Sequence, residues 1–349
     1  MNTTPSSPLN SNSTMASGDP SGSDQDRPQV DATTRVRAAD ATTRVRAAGE
    51  AGLEPAAGER ALVLGGGGST GNAWLIGVIA GLFDAGLDVT TADLTIGTSA
   101  GSTAAAQLAG ATPTELLAAI LATAPQERTG PAGSDRGRVP TTSAADHIER
   151  IGKIIASAQD PADMRRRMGA AALDLDAASD GSWQTQWRAT VASRLPSQHW
   201  PQRTVLITAV DAQTGEPVVF DRHSGVDLAD AVAASCASGL PYWIGDNRYI
   251  DGGYRRNENA DLAAGYGRVL VLSPFGGRTL QPLNWGTQLA AQVDALRVGG
   301  SRVETIFPNP NSEHMFGANA MDPSLRPPAA RAGYDQGRVL AESLTGFWR

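Results

Sequence analysis

A short apolar strand that runs into a glycine turn and then a helix occurs twice in the first third of this 349-residue chain, and it restricts the fold more than any other feature. Ala61–Leu64 is apolar throughout and ends in Gly65–Gly68. Beyond it, Leu75, Ile79, Leu82 and Phe83 mark one face of a helix over Asn72–Ala85, which Gly86 stops. Leu94–Ile96 leads into Gly97-Thr98-Ser99-Ala100-Gly101 and an Ala-rich helix to about Ala109. A strand with no polar face suits a parallel sheet covered on both sides. The expected fold is therefore α/β, a three-layer α/β/α arrangement around a mainly parallel central sheet.

Residues 1 to about 58 read differently. They are rich in Ser, Thr, Pro, Asp and Gly, and they hold too little apolar surface to offset the entropy of ordering, which predicts a disordered low-complexity tail. Within it Asp31–Ala39 recurs unchanged as Asp40–Ala48. Two copies at that period are far from the ~20–50-residue repeats of a solenoid and read as a duplication in a tolerant linker. The folded unit is expected over 59–349, interrupted at about 125–200 by a helical insertion. Arg128–Pro140 is a Gly/Pro/Arg-rich loop, followed by helices near Ala144–Ala158, Pro161–Ala172 and Trp183–Arg194. Strands resume at Thr204–Val210, Val218–Phe220, Arg248–Ile250 and Arg268–Leu272, with a helix at Asp227–Ala237.

Composition narrows the function classes. With 29 basic against 36 acidic residues the net charge is −7, which argues against a surface built to neutralise nucleic-acid phosphates. One cysteine, Cys236, excludes an internal disulfide and a Cys-rich zinc site. No run approaches the ~18 apolar residues of a membrane span, and the first residues carry neither a basic nor an apolar signal region. The expectation is a cytoplasmic protein, with peripheral membrane contact as its closest approach to a bilayer.

Three motifs carry chemistry. Gly97-Thr98-Ser99-Ala100-Gly101 has the G-x-S-x-G spacing of a nucleophile elbow, whose small flanking residues let the chain turn sharply and lift one hydroxyl clear of the sheet. The following helix N-terminus favours a developing anion. The second motif, Gly65–Gly71 (GGGGSTG), fits a dinucleotide turn through Gly66, Gly68 and Gly71. That use needs an acid after the next strand, whereas Asp88 and Asp93 precede it. The alternative is a row of backbone N–H groups facing an oxyanion, and an elbow on the adjoining strand favours it. The third is Ile250-Asp251-Gly252-Gly253, a carboxylate at a strand end that can serve the serine as base.

An imidazole base is the other option. A Ser, acid, His order along the chain leaves only His314 among the four histidines, in the polar stretch Asn309–Met315. A solvated loop histidine is the preferred reading of it. Trp183 and Trp187, four residues apart on one helix face, read first as core packing and second as a cap or lipid-facing surface.

Taken in order on an α/β frame, G-G-G-x-x-x-G, G-x-S-x-G and D-G-G resemble the patatin-like phospholipases. The likeness covers about Ala61–Pro274 and extends to Ala237–Pro241 and Asn257–Tyr266 (NENADLAAGY). The resemblance implies a serine lipid acyl hydrolase with a Ser–Asp dyad. Ser99 would attack an acyl ester and Asp251 would take its proton. Gly66, Gly67, Gly68 and Ala100 would hold the oxyanion, with no metal or cofactor. A Ser-His-Asp esterase on soluble esters and a silent lipid-binding protein are the alternatives, and the oligomeric state is open. In one place the chain departs from the family. Where many members carry Arg or Lys before the last glycine of the first motif, it has Ser69-Thr70, which weakens anion binding at that loop.

Overall fold

The computed structural model describes residues 56–122 and 144–349. Most of the expected tail, the nine-residue duplication and the Arg128–Pro140 loop lie outside the described residues. The strands are β1 (Ala56–Leu64), β2 (Leu94–Thr98), β3 (Thr204–Asp211), β4 (Pro217–Phe220), β5 (Tyr242–Ile244), β6 (Asn247–Asp251), β7 (Tyr266–Leu272) and β8 (Arg302–Ile306). The helices are α1 (Gly68–Asp84), α2 (Ala100–Gly110), α3 (Pro113–Ala122), α4 (Ala144–Ser157), α5 (Pro161–Ala177), α6 (Trp183–Ala192), α7 (Leu228–Ser235), α8 (Leu289–Val298) and α9 (Arg326–Trp348). Strand β1 starts earlier than its apolar run, with an irregular step between Ala56 and Arg60.

The strands form one eight-stranded sheet in the order β5-β6-β3-β2-β1-β7-β8, with β4 also paired to β3. The run β3-β2-β1-β7-β8 is parallel, and β4, β5 and β6 join antiparallel at one side. The expected α/β/α layering follows from alternation along the parallel strands. Leu62, Leu64, Leu270 and Leu272 face the layer of α1, α2, α7 and α9, while Ala61, Val63, Val269 and Val271 face the α8 side. Val210 and Ile250 meet Ile155, Met164 and Met168 of α4 and α5 in a third, smaller core. Each strand turns a different set of side chains to each face, as a period of two requires.

Helix α9 lies against α1 at backbone contact distance. A methyl group on Gly333 would come within 3.0 Å of the Val78 nitrogen, and one on Gly337 within 3.0 Å of the Leu82 nitrogen. Among the described residues, no single helix is long and apolar enough to cross a membrane.

Candidate active site

The parallel strands present their carboxyl ends along one edge, the usual place for a site in an open α/β sheet. Sheet register brings the two candidate reacting groups to one level there. Thr98, the last residue of β2, pairs with Thr208 of β3, and Ala209, the next residue of β3, pairs with Asp251 at the end of β6. Ser99 and Asp251 therefore emerge on either side of β3, about two strand spacings (~9.5 Å) apart along the sheet. Their side chains approach one another closely enough for the Ser99 hydroxyl to pull the Asp251 carboxyl pKa down.

Ser99 holds φ 53° and ψ −115°, one of two non-glycine residues at positive φ among the described residues. Such a conformation costs on the order of 1–3 kcal/mol and persists where the surroundings enforce it. Here the flanking glycines make room: a methyl group on Gly97 would lie 2.6 Å from the Ser102 Cα, and one on Gly101 would run into the Leu64 carbonyl. The Ser99 N–H donates to the Ser235 hydroxyl at 2.9 Å. The Ser99 carbonyl accepts from the Ser102 hydroxyl at 2.6 Å and from the Cys236 thiol at 3.2 Å. The end of α7 thus holds the elbow from below. Burial pushes the Cys236 thiol up to about 11, so it stays protonated and serves as a donor.

Asp251 is 7% exposed. Loss of water raises its carboxyl to about 6, against the opposing pull of the Gly253 N–H and the Ser99 hydroxyl. The Gly253 N–H donates to it at 2.8 Å. Gly252 sits against the Thr208 carbonyl, where a side chain has no room. Asn259, fully buried and left-handed at φ 54°, ties the parts together. Its amide lies 3.0 Å from the Thr98 hydroxyl, 3.2 Å from the Thr208 hydroxyl and 3.2 Å from the Gly252 carbonyl. Asn259 lies within the Asn257–Tyr266 stretch, where no local pattern in the sequence signals this role.

One of the four expected oxyanion donors is already engaged. The Gly66 N–H donates to the Asn257 carbonyl at 3.0 Å, so it is not free for a ligand. Gly65 and Thr70 are likewise committed, to Leu272 and Ala320. Gly67 and Gly68, and Ala100 at the start of α2, have N–H groups without an acceptor among the described residues, two of them at helix N-termini. The turn adjoins the serine, since a methyl group on Gly66 would lie 3.6 Å from the Ser99 Cβ. Asn257 anchors the turn a second time, its amide donating to the Gly66 carbonyl at 3.3 Å and to Glu258 at 2.9 Å.

A basic side chain reaches this loop from far along the chain. Arg326, the first residue of α9, donates to the Ser69 carbonyl at 2.7 Å and to its hydroxyl at 3.1 Å. No local pattern in the sequence pairs residues so far apart.

His314 is exposed, and no imidazole among the described residues bonds Ser99 or Asp251. Trp183 and Trp187 pack on the main core: Trp183 stands edge-on to Tyr242 with centroids 6.4 Å apart, and Trp187 donates its indole N–H to the Ala233 carbonyl at 3.1 Å. Both side chains are half-buried and pack on the main core, as the first reading of this pair expects.

Residues 62–264 match the family described as Patatin-like phospholipase. No curated protein matches the chain. Among solved structures, VipD from Legionella pneumophila is similar over 83% of this chain and 68% of its own, at 15% identity and a TM-score of 0.38. The type III effector protein ExoU is similar over 82% of this chain and 54% of its own, at 15% identity and a TM-score of 0.29.

Proposed function

The chain belongs to the patatin-like phospholipase family, and from that premise we propose that it cleaves fatty acyl esters of lipids with Ser99 as nucleophile and Asp251 as base. The sheet register that brings Ser99 and the buried Asp251 carboxyl to one level, beside unengaged glycine N–H groups, is the observation that carries the reading.

A serine hydroxyl is a weak nucleophile until a neighbouring base takes its proton. An Asp251 carboxyl near 6 is ionised at neutral pH yet more basic than an ordinary aspartate, so it can accept that proton and return it. Ser99 Oγ attacks the acyl carbonyl, and the proton passes to Asp251. The carbonyl electrons move onto oxygen, where the N–H groups of Gly67, Gly68 and Ala100 stabilise them. Each such donor is worth ~2.7–4 kcal/mol in comparable sites. As the tetrahedral species collapses, the ester C–O bond breaks and the leaving alcohol takes the proton from Asp251. A water molecule then repeats the cycle on the acyl-serine, giving a free fatty acid and restoring both groups.

The test compares wild type, Ser99→Ala and Asp251→Asn on a panel of acyl lipids, with fluorophosphonate labelling of the serine. Both variants are expected to lose at least about a thousandfold in kcat, the scale seen when a unit of linked residues is broken. Labelling should vanish in Ser99→Ala. Hydrolysis that survives in either folded variant rejects the dyad.

A further inference from the structure

The two non-glycine residues at positive φ among the described residues belong to one hydrogen-bonded assembly. One is Ser99; the other is Asn259, at φ 54° and ψ 35° and fully buried. A side chain rarely adopts this backbone, which persists where its surroundings impose it. Those surroundings also fix which way the Asn259 amide faces. Its Oδ1 accepts from the Arg255 guanidinium at 2.6 Å. Its Nδ2 lies against four oxygens: the Thr98 and Thr208 hydroxyls at 3.0 and 3.2 Å, and the Gly252 and Arg256 carbonyls at 3.2 and 2.7 Å. A guanidinium only donates and a carbonyl only accepts, so a flipped amide would oppose both sets.

These partners border the two reacting residues. Thr98 precedes Ser99, and Gly252 follows Asp251. Strands β2 and β6 each pair with β3 and not with each other, so the sheet ladder leaves the nucleophile and the base without a direct tie. The Asn259 amide supplies one, and the Thr98 and Thr208 hydroxyls, 2.9 Å apart, carry it across β3. Asn259 is itself held from both sides. Arg255 also pairs with Asp261, which Arg256 meets at 3.3 Å. The Ala260 N–H donates to the side-chain oxygen of Gln292, buried in α8, at 2.7 Å, and Gln292 donates to the Thr287 carbonyl at 3.0 Å. We infer that Asn259 is a positioning residue for the reaction, which, clamped by Arg255, sets the spacing of the Ser99 hydroxyl from the Asp251 carboxyl. The inference rests on the hydrolase reading. Proton transfer depends on that spacing and ground-state binding of an ester does not, so loss of the amide falls on kcat. Arg255 acts through Asn259, so its removal costs nothing more once the amide is gone.

The experiment measures kcat and KM on a soluble p-nitrophenyl ester, with a thermal melt, for full-length wild type, Asn259→Gly, Arg255→Gln, Arg255→Lys and the double variant Asn259→Gly/Arg255→Gln. Glycine adopts the left-handed backbone freely, so Asn259→Gly removes the amide without straining the chain. It is expected to lose about ten- to a hundredfold in kcat, with KM within about twofold. Its kcat/KM should rise at a higher pH than that of wild type, because Asp251 loses the opposing pull of the Ser99 hydroxyl. Arg255→Gln should lose about three- to tenfold in kcat, the scale of coupling between residues in one network. Arg255→Lys should lose less, and the double variant should match Asn259→Gly. A folded Asn259→Gly with the kcat of wild type, or with a loss confined to KM, overturns the inference, and so does a double variant in which the two losses multiply. Should Asn259→Gly fail to fold, Arg255→Gln decides: a wild-type kcat overturns the inference, and a loss that Arg255→Lys restores supports it. A wild type that hydrolyses no ester fails the hydrolase reading and takes the inference with it, whereas an active wild type beside an equally active Asn259→Gly fails the inference alone.

Discussion

Ser99 and Asp251 come to one level on either side of β3, because Thr98 is in register with Thr208 and Asp251 with Ala209. Burial has pushed the Asp251 carboxyl up to about 6, against the pull of the Ser99 hydroxyl. Only the ionised carboxylate can accept the serine proton, so kcat/KM on a soluble ester should rise tenfold per pH unit below about 6 and level off above it. The rising limb should follow a single ionisation, because the base is one group and not an imidazole pair. A profile controlled by a group near pH 7 that disappears in His314→Ala would return the base to histidine. His314→Ala is otherwise expected to keep the wild-type profile.

The same carboxyl links stability to pH. Its folded pKa of about 6 lies above the unfolded value of 3.8, so the folded chain holds the proton more tightly. The contribution is fully favourable below pH 3.8 and is lost as pH rises through about 6. The cost reaches about 3 kcal/mol above that window, from roughly 1.4 kcal/mol per tenfold change in proton affinity. Asp251→Asn removes the titration while keeping an oxygen for the Gly253 N–H. Urea unfolding should find the variant more stable than wild type by up to about 3 kcal/mol at pH 8, with the difference gone by pH 4. An equal difference at both pH values would mean that the ionised form is not the destabilising one.

Asn257 should act on rate through the glycine turn it straps. Its carbonyl accepts the Gly66 N–H and its amide holds the Gly66 carbonyl, which fixes the plane of the peptides that present Gly67 and Gly68. A misplacement of about 1 Å in such a site can cost on the order of a hundredfold. Asn257→Ala is expected to lower kcat by about ten- to a hundredfold on a soluble ester and to leave KM within about twofold. The oxyanion is bound in the transition state and not in the ground state. A loss confined to KM, or a kcat within twofold of wild type, would assign the strap to folding alone.

How far the sequence reveals this arrangement depends on whether the signal is local. The parallel strands at 61–64, 94–96 and 268–272 stand out because strands buried on both faces are apolar at every position. Ser99, Asp251 and the glycine turn stand out because each occupies a short motif at a strand end. The engaged Gly66 N–H does not, since its partner Asn257 lies far along the chain. The same is true of Arg326 at Ser69. Strand β8 (RVETI) alternates polar and apolar residues at the sheet edge and gives a weak signal. Helix α9 is hidden for another reason: until its last turn, with Leu344, Phe347 and Trp348, the face it buries is built from Ala329, Ala330, Gly333, Gly337 and Ala341, which a search for large apolar residues at helical spacing passes over.

That small-residue face yields the sharpest stability prediction. Gly337 has no room for a methyl group, which would run into the Val78 carbonyl and approach the Leu82 nitrogen at 3.0 Å. Both obstacles are backbone of α1 and cannot swing aside as a side chain could, so α9 itself must move. Gly346 lies in the same helix with nothing near its missing Cβ. Gly337→Ala is expected to destabilise the fold by about 3 kcal/mol, at the upper end for inserting a methyl group into a packed contact. Gly346→Ala should stabilise it by up to ~1 kcal/mol through helix propensity alone. The measurement is thermal denaturation of the two variants side by side. A Gly337→Ala protein as stable as Gly346→Ala would show that α9 does not meet α1 at backbone distance.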